Sequence, residues 1–302
     1  MNGIVVIDKP AGLTSHDVVN RLRRLMNERS IGHLGTLDPA ATGVLPMVVG
    51  NLTRLAQFYI KMEKIYEGVI RFGFATDTYD AEGEATTAPR DVTLSRDQVC
   101  ELAKSFVGAI EQIPPPFSAK KIQGVPAYKL ARKKQDVPLK SVHVEVKEFE
   151  IANVEKDHAT FRVEVSSGTY VRSLAHDMGA KLGCGAHLES LRRTGAGEFT
   201  IADARMLEEI DAACKAADVD NIFIHPRKLL PEFPAVTVNA ETAAYICTGR
   251  PVNLPDFSSA RKVKVFRSQR ELIAIATRVA GTLFHPGIVL ASAPTLHTSN
   301  RS

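Results

Sequence analysis

Apolar positions along the chain switch between strand and helix spacing without a regular rhythm. Ile4 to Ile7 is a short continuous apolar run that predicts a buried strand, closed by the turn Asp8-Lys9-Pro10-Ala11-Gly12. Ser15 stands where a helix cap belongs, ahead of Val18, Val19, Leu22, Leu25 and Met26 at helical spacing. Gly32 to Gly43 reads as a loop, Val44 to Val49 as a buried strand and Thr53 to Tyr59 as a short helix. Tyr66, Ile70, Phe72 and Phe74 fall on one side of a further strand. Ser95 caps a second amphipathic helix whose inner face is Val99, Leu102, Ala103 and Phe106. Val142, Val144 and Val146, then Phe161, Val163 and Val165, alternate as two strands of a half-buried antiparallel sheet. Leu174, Ala175, Met178 and Leu182 give one more helix face. Strands and helices mingle without βαβ repetition, so the pattern predicts an α+β fold. The sheet is expected to be mixed and largely antiparallel, flanked by helices.

Pro226, Pro231 and Pro234 gather in one stretch, which predicts a linker. Beyond it, Val236 to Val238, Lys262 to Phe266 and Leu272 to Ala276 read as short strands, with a helix over Ala240 to Cys247 and a turn at Gly249-Arg250-Pro251. At 302 residues the chain can build two cores. The expected division is a larger domain over 1–230 and a small β-rich module over 232–302.

Composition changes this picture only locally. Hydrophobic residues make up 44% and charged residues 24%, the balance of a globular protein. A net charge of +4 is mild, so binding to a polyanion must rest on patches. Ser118 to Lys134 carries Lys120, Lys121, Lys129, Arg132, Lys133 and Lys134 and no acid; Arg21, Arg23, Arg24 and Arg29 form a second cluster, and Arg261 to Arg270 a third. Acid gathers elsewhere, from Asp77 to Glu84. One such run is usually a solvated face, but three together favour a nucleic-acid partner. Cys100, Cys184, Cys214 and Cys247 are isolated, without zinc spacing, as expected for thiols in a reducing compartment. The apolar run after Met1-Asn2-Gly3 is too short for a signal peptide, and no run approaches a membrane span. A cytoplasmic protein without membrane contact is the expectation.

Several engines are missing: there is no GxxxxGK, no strand-GxGxxG-helix and no GxSxG elbow. His16-Asp17 and His176-Asp177 are His-Asp pairs of the kind a metal phosphohydrolase uses. The most informative segment is Gly32-His33-Leu34-Gly35-Thr36-Leu37-Asp38-Pro39. Pro39 steers Asp38 toward extended geometry, and the glycines let the backbone approach a ligand closely. The same Asp-Pro pair also suits an ordinary turn, and local chemistry leaves both readings open.

That loop, continued through Ala40-Ala41-Thr42-Gly43, resembles the signature of the bacterial tRNA pseudouridine-55 synthases, the TruB family. Four other blocks resemble the same family in order: Asp8-Lys9-Pro10 with Gly12-Leu13-Thr14-Ser15, Lys64-Ile65-Tyr66-Glu67-Gly68, Gly168-Thr169-Tyr170-Val171-Arg172-Ser173-Leu174, and Leu191-Arg192-Arg193-Thr194 with Gly197 and Phe199. The resemblance implies a pseudouridine-synthase-type fold, a small C-terminal PUA-like RNA-binding domain, and isomerisation of a T-loop uridine without metal or cofactor. It assigns Asp38 as nucleophile, Arg172 as its cation and Tyr66 as the ring that stacks on the target base. Leu191 and Lys64 are then pocket residues, and His33 enters the space left by the flipped base. Without the family, Tyr66 and Leu191 read as core, Arg172 as a surface charge and His33 as an exposed loop residue.

Phe117 to Lys134 resembles the family's inserted RNA-gripping segment, an insertion spanning about 114–138, with Lys120, Lys121, Tyr128, Lys129 and Arg132 as its contacts. It departs from the usual pattern at Phe117, commonly Tyr, and at Lys134, commonly Gly. The implied partner is the tRNA T stem-loop, bound by a monomer. A related synthase with another RNA target, an RNA-binding protein without catalysis and the metal phosphohydrolase are the competing readings.

Overall fold

A computed structural model describes residues 1–118, 121–122, 125–126 and 139–292. In chain order the larger sheet and its neighbours use β1 (Gly3–Lys9), β2 (Ile31–His33), β3 (Thr42–Val49), β4 (Lys64–Phe72) and β5 (Gly108–Gln112), then β6 (Lys121–Ile122) and β7 (Val125–Pro126) as a separate pair. They continue with β8 (Val142–Glu155), β9 (His158–Val165), β10 (Ala186–Ala196), β11 (Phe199–Thr200) and β12 (Ala204–Arg205). The order across the sheet is β12-β1-β3-β10-β4-β9-β8-β5, with β2 on β3 and β11 on β10. Among the described strands of this sheet only β1–β12 and β3–β10 pair in parallel, so the mixed, largely antiparallel expectation holds.

Strands β1 and β3 each feed two cores, because successive side chains point to opposite faces. Val5 and Ile7 of β1 join one cluster and Ile4 and Val6 the other; Leu45, Met47 and Val49 of β3 are likewise split from Val44 and Val48. Helices cover the first face: α1 (Ser15–Leu25) through Val18 and Leu22, and the helix over Arg96–Lys104 through Val99 and Ala103. The helices over Val171–Lys181 and Leu207–Lys215 complete it through Leu174, Met178, Leu207 and Ile210.

The second face is covered by a smaller sheet of β13 (Ala235–Thr237), β14 (Val252–Asn253), β15 (Lys262–Phe266), β16 (Leu272–Ala280) and β17 (Leu283–Val289), ordered β13-β15-β16-β17-β14. Phe266, Leu272, Ile275 and Ile288 enter the shared cluster, whereas Val263, Val265, Ile273 and Phe284 build a separate core with the helix over Ala240–Cys247. The proline-rich connection is no loose tether. Leu229 and Leu230 are buried in the shared cluster, each worth about 1.5–3 kcal/mol. The Lys264 ammonium donates to the Arg227 and Leu229 carbonyls at 3.0 and 2.6 Å.

One local expectation is corrected, and one strand was not anticipated. Thr14, not Ser15, caps α1: its hydroxyl accepts from the Asp17 N–H at 3.0 Å while its own N–H donates to Asp17 at 2.9 Å. Ser15 is buried and serves the site instead. Strand β10, at the centre of the sheet, has no period-2 signature, because bulges between Leu188 and Ser190 and between Arg193 and Gly195 shift its phase.

Candidate active site

The loop between β2 and β3 carries Asp38, and its shape is set by side chains from other elements. The Ser15 hydroxyl accepts from the Leu37 N–H at 2.8 Å and donates to the Leu37 carbonyl at 3.1 Å. The Arg193 guanidinium, fully buried in β10, donates to the carbonyls of Val44, Thr36 and Gly35 at 2.7, 3.3 and 3.0 Å. The Lys9 ammonium, also fully buried, reaches the Pro39 and Pro10 carbonyls at 3.0 and 2.8 Å. Every peptide carbonyl from 35 to 39 is therefore tied, that of Asp38 by the Ala41 N–H at 3.1 Å. Gly43 is required behind the loop: its φ is +98°, and a Cβ there would stand 2.2 Å from the Arg193 carbonyl oxygen.

Arg172 lies in the first turn of the helix over Val171–Lys181 and is buried. Its Nε meets Asp38 Oδ2 at 2.9 Å. Nη1 donates to Asp80 Oδ2 at 3.1 Å and to the Thr78 carbonyl at 2.9 Å, and Nη2 to the Phe117 carbonyl at 3.0 Å. The guanidinium is thus shared by two carboxylates and held flat by two carbonyls. Phe117 contributes only its backbone, so the departure from tyrosine there leaves this contact intact. The motif itself is clamped from β5: the buried Gln112 amide donates to the Tyr170 carbonyl at 3.0 Å and accepts the Tyr170 N–H at 2.8 Å.

These elements enclose a pocket of about 280 Å³, lined among others by Asp38, Lys64, Tyr66, Tyr170, Arg172 and Leu191. Five residues singled out in the sequence, Asp38, Lys64, Tyr66, Arg172 and Leu191, therefore converge. Tyr66 stands opposite Arg193 in the β4–β10 pairing and is 7% exposed, so it is at once a core ring and a pocket wall. The exposed Ile60 sits on the rim. His33 does not line this pocket; its Nδ1 accepts from the Gly35 N–H at 3.4 Å, and burial holds its pKa below the ordinary value. Lys120, Tyr128, Lys129 and Arg132 lie outside the described residues, and Lys121 is described by its backbone alone.

Charge in the pocket is arranged in opposition. Crowding by protein pushes the Asp38 pKa up although the side chain is 42% open to the pocket; Arg172 pulls it down, and Asp80 pushes it up again. Burial lowers Lys9 to about 8, against the attraction of Asp38. Lys64 also falls to about 8 through burial and the neighbouring Arg193, its ammonium resting on the Met62 carbonyl at 2.7 Å. Among the described residues no group of three or more His, Cys, Asp or Glu is placed to hold a metal ion, and neither His16-Asp17 nor His176-Asp177 belongs to one.

Lys9, Ser15, Asp80 and Arg193 escaped assignment as site residues in the sequence. Asp80 sits in the acidic run that seemed remote from RNA, and only the chain path between β4 and the next helix brings it to Arg172. Arg193 lay inside a matching block, yet nothing local marks a fully buried arginine.

Comparison with known proteins identifies the family. Residues 23–171 match the N-terminal domain of the TruB family pseudouridylate synthases, and residues 172–229 match a tRNA pseudouridylate synthase B C-terminal domain. The chain is 46% identical over 293 residues to the tRNA pseudouridine synthase B of Solibacter usitatus (strain Ellin6076), covering 96% of this chain and 100% of that one. It is 41% identical over 251 residues to that of Geobacter sulfurreducens, covering 83% of each. The fold is shared with an H/ACA RNP bound to a substrate RNA containing 2′-deoxyuridine, at a TM-score of 0.69 and 24% identity, over 96% of this chain and 86% of that one. On the strength of the matched domains and these relatives, the chain belongs to the TruB family of pseudouridylate synthases.

Proposed function

We propose that the protein converts the T-loop uridine at tRNA position 55 into pseudouridine, with Asp38 as nucleophile. The observation that carries the reading is the Asp38–Arg172 pair, 2.9 Å apart in a pocket that also exposes Tyr66 and Leu191. The reaction breaks the bond from C1′ to N1 of uracil and forms one from C1′ to C5; C5 loses its proton and N1 gains one, so no oxidant or reductant enters. Arg172, which cannot deprotonate, keeps Asp38 ionised against the burial that would neutralise it. Tyr66 stacks on the base, an interaction worth about 1–3 kcal/mol, and is placed to accept the C5 proton. The uridine must leave its own stack at a cost of a few kcal/mol, and His33 fills the space it vacates.

The direct test is an unmodified tRNA transcript carrying tritium at C5 of uridine. Turnover should release tritium, and chemical mapping should find pseudouridine at position 55 alone. Release mapped to another position would move the target; no release at all would return the chain to RNA binding without catalysis.

In this reading residues 1–230 are the catalytic domain, and the module over 232–302 is a PUA-like RNA-binding domain. A monomer engages the T stem-loop through the segment from Lys120 to Lys134. Phosphate contacts of this kind position RNA without reading its bases. Neutralising Lys120, Lys121 and Lys129 together should weaken tRNA binding and flatten its salt dependence, each lost contact removing about 0.7–0.9 from the log–log slope. An unchanged slope would mean that these lysines face solvent.

A further inference from the structure

We propose that the stacked rings of Tyr79 and His176 form a positioning device that aims Arg172 at Asp38. The inference rests on the reading of Asp38 and Arg172 as the catalytic pair. Tyr79 and His176 are stacked with ring centroids 3.8 Å apart and planes 12° from parallel. His176 follows Arg172 by four residues on the same helix, so both side chains project from one face. That face meets a single short segment at two points. Arg172 grips the Thr78 carbonyl and the Asp80 carboxylate, the residues on either side of Tyr79, and His176 covers the Tyr79 ring between them.

The segment needs such a hold because Tyr79 has a φ of +64°, a left-handed conformation unfavourable for a residue bearing a Cβ. This turn is what lets two residues separated by one both face Arg172. Its backbone is anchored on the far side, where the Tyr79 carbonyl accepts from the Leu188 N–H at 3.0 Å and the Ala81 N–H donates to the Leu188 carbonyl at 3.0 Å. Asp80 is fixed within the turn by the Thr78 hydroxyl at 2.5 Å and the Glu82 N–H at 3.1 Å. On the helix side the ring stack holds the turn beside the two Arg172 bonds. The imidazole serves there as a flat surface: its Nδ1 is buried and has no hydrogen-bond partner among the described residues. Burial also keeps its pKa below the ordinary value, so the ring is uncharged near neutral pH. The arrangement assigns a use to His176, one half of a His-Asp pair that the sequence presented as a metal-binding candidate.

The experiment compares His176→Ala, His176→Phe, Tyr79→Phe and Tyr79→Gly by steady-state tritium release from C5-labelled tRNA, with thermal melting of each variant. His176→Ala should lower kcat about tenfold, as displaced catalytic groups do, with KM within about twofold of wild type. His176→Phe and Tyr79→Phe keep two stacked rings and should stay within about twofold of the wild-type kcat. Tyr79→Gly accepts the left-handed backbone but lacks the ring, so it should match His176→Ala and supplies the same lesion if that variant does not fold. In an Asp80→Asn background, His176→Ala should cost little more, because both changes act through one contact. A wild-type kcat in His176→Ala or Tyr79→Gly overturns the proposal. So does an equal loss in His176→Phe, or a full tenfold loss that persists beside Asp80→Asn. Wild-type protein without turnover would instead sink the catalytic reading beneath it.

Discussion

Asp38→Asn should end isomerisation while tRNA binding stays near its wild-type strength. The substitution keeps the size and planarity of the side chain and removes its negative charge, and with it nearly all nucleophilicity. Enzymes commonly supply a rate factor of about 10⁶ or more, and loss of the nucleophile removes much of it. Affinity has other sources, in cations along the phosphate path and in stacked bases, so it should survive. It should even tighten slightly, because a charge of the same sign as RNA is gone. Structural damage should be small: the carbonyls of the loop are held by Ser15, Lys9 and Arg193, not by the Asp38 carboxylate. The measurement is paired, filter binding for affinity and tritium release from C5-labelled uridine for turnover. Substantial turnover in the variant would return Asp38-Pro39 to a simple turn. The wild-type pH profile supplies a second check. Burial raises the Asp38 pKa above 3.8, so the reactive anion is lost as pH falls through that raised value. The acid limb of kcat should therefore lie above the pKa of an exposed Asp, and it should be absent from any step that does not use Asp38.

Arg193→Met should lower stability and turnover together. The methionine fills part of the buried volume but leaves three carbonyls, those of Gly35, Thr36 and Val44, without their donor. Each unsatisfied group costs about 1 kcal/mol or more, or about 3 kcal/mol in all. Removing a buried charge returns part of that, so a net loss of about 2 kcal/mol is expected. The loop that carries Asp38 would keep its bonds to Ser15, Lys9 and Gly12 but lose its hold at Gly35 and Thr36, and kcat should fall at least tenfold, since small displacements of a nucleophile are expensive. Urea unfolding gives the first quantity and single-turnover tritium release the second. Arg193→Lys should recover little of either, because one ammonium cannot span three carbonyls as the guanidinium fork does. Wild-type stability in Arg193→Met would show that the three carbonyls find other partners at no cost. Reduced stability with full kcat would separate the fold of the loop from its catalytic geometry.

Much of the fold was legible in periodicity. The strands around Ile4, Val44, Tyr66, Val144 and Val163 and the helices after Thr14, Ser95 and Tyr170 all stand where apolar spacing puts them, because each buries a regular face. Five residues that line the pocket, Asp38, Lys64, Tyr66, Arg172 and Leu191, were named from the ordered motifs. What the sequence could not reveal depends on contacts between residues far apart in the chain. Strand β10 was invisible because its bulges break alternation and its centre holds Arg193, a residue that periodicity assigns to water. That charge is tolerable inside because the β2–β3 loop turns two carbonyls toward it and β3 a third, a fact of tertiary placement. Asp80 belongs to a run that reads as acidic surface, until a left-handed Tyr79 turns it onto Arg172, ninety-two residues away. Ser15 looked like a cap because its hydroxyl precedes a helix, and Thr14 took that position because its side chain and the Asp17 carboxylate close a reciprocal pair. Local spacing thus determined which segments form elements, and the ordered motifs singled out the loop that holds Asp38. Tertiary structure decided how that loop is held and which second carboxylate shares its cation, because hydrogen bonds between distant segments leave no periodic trace in the chain.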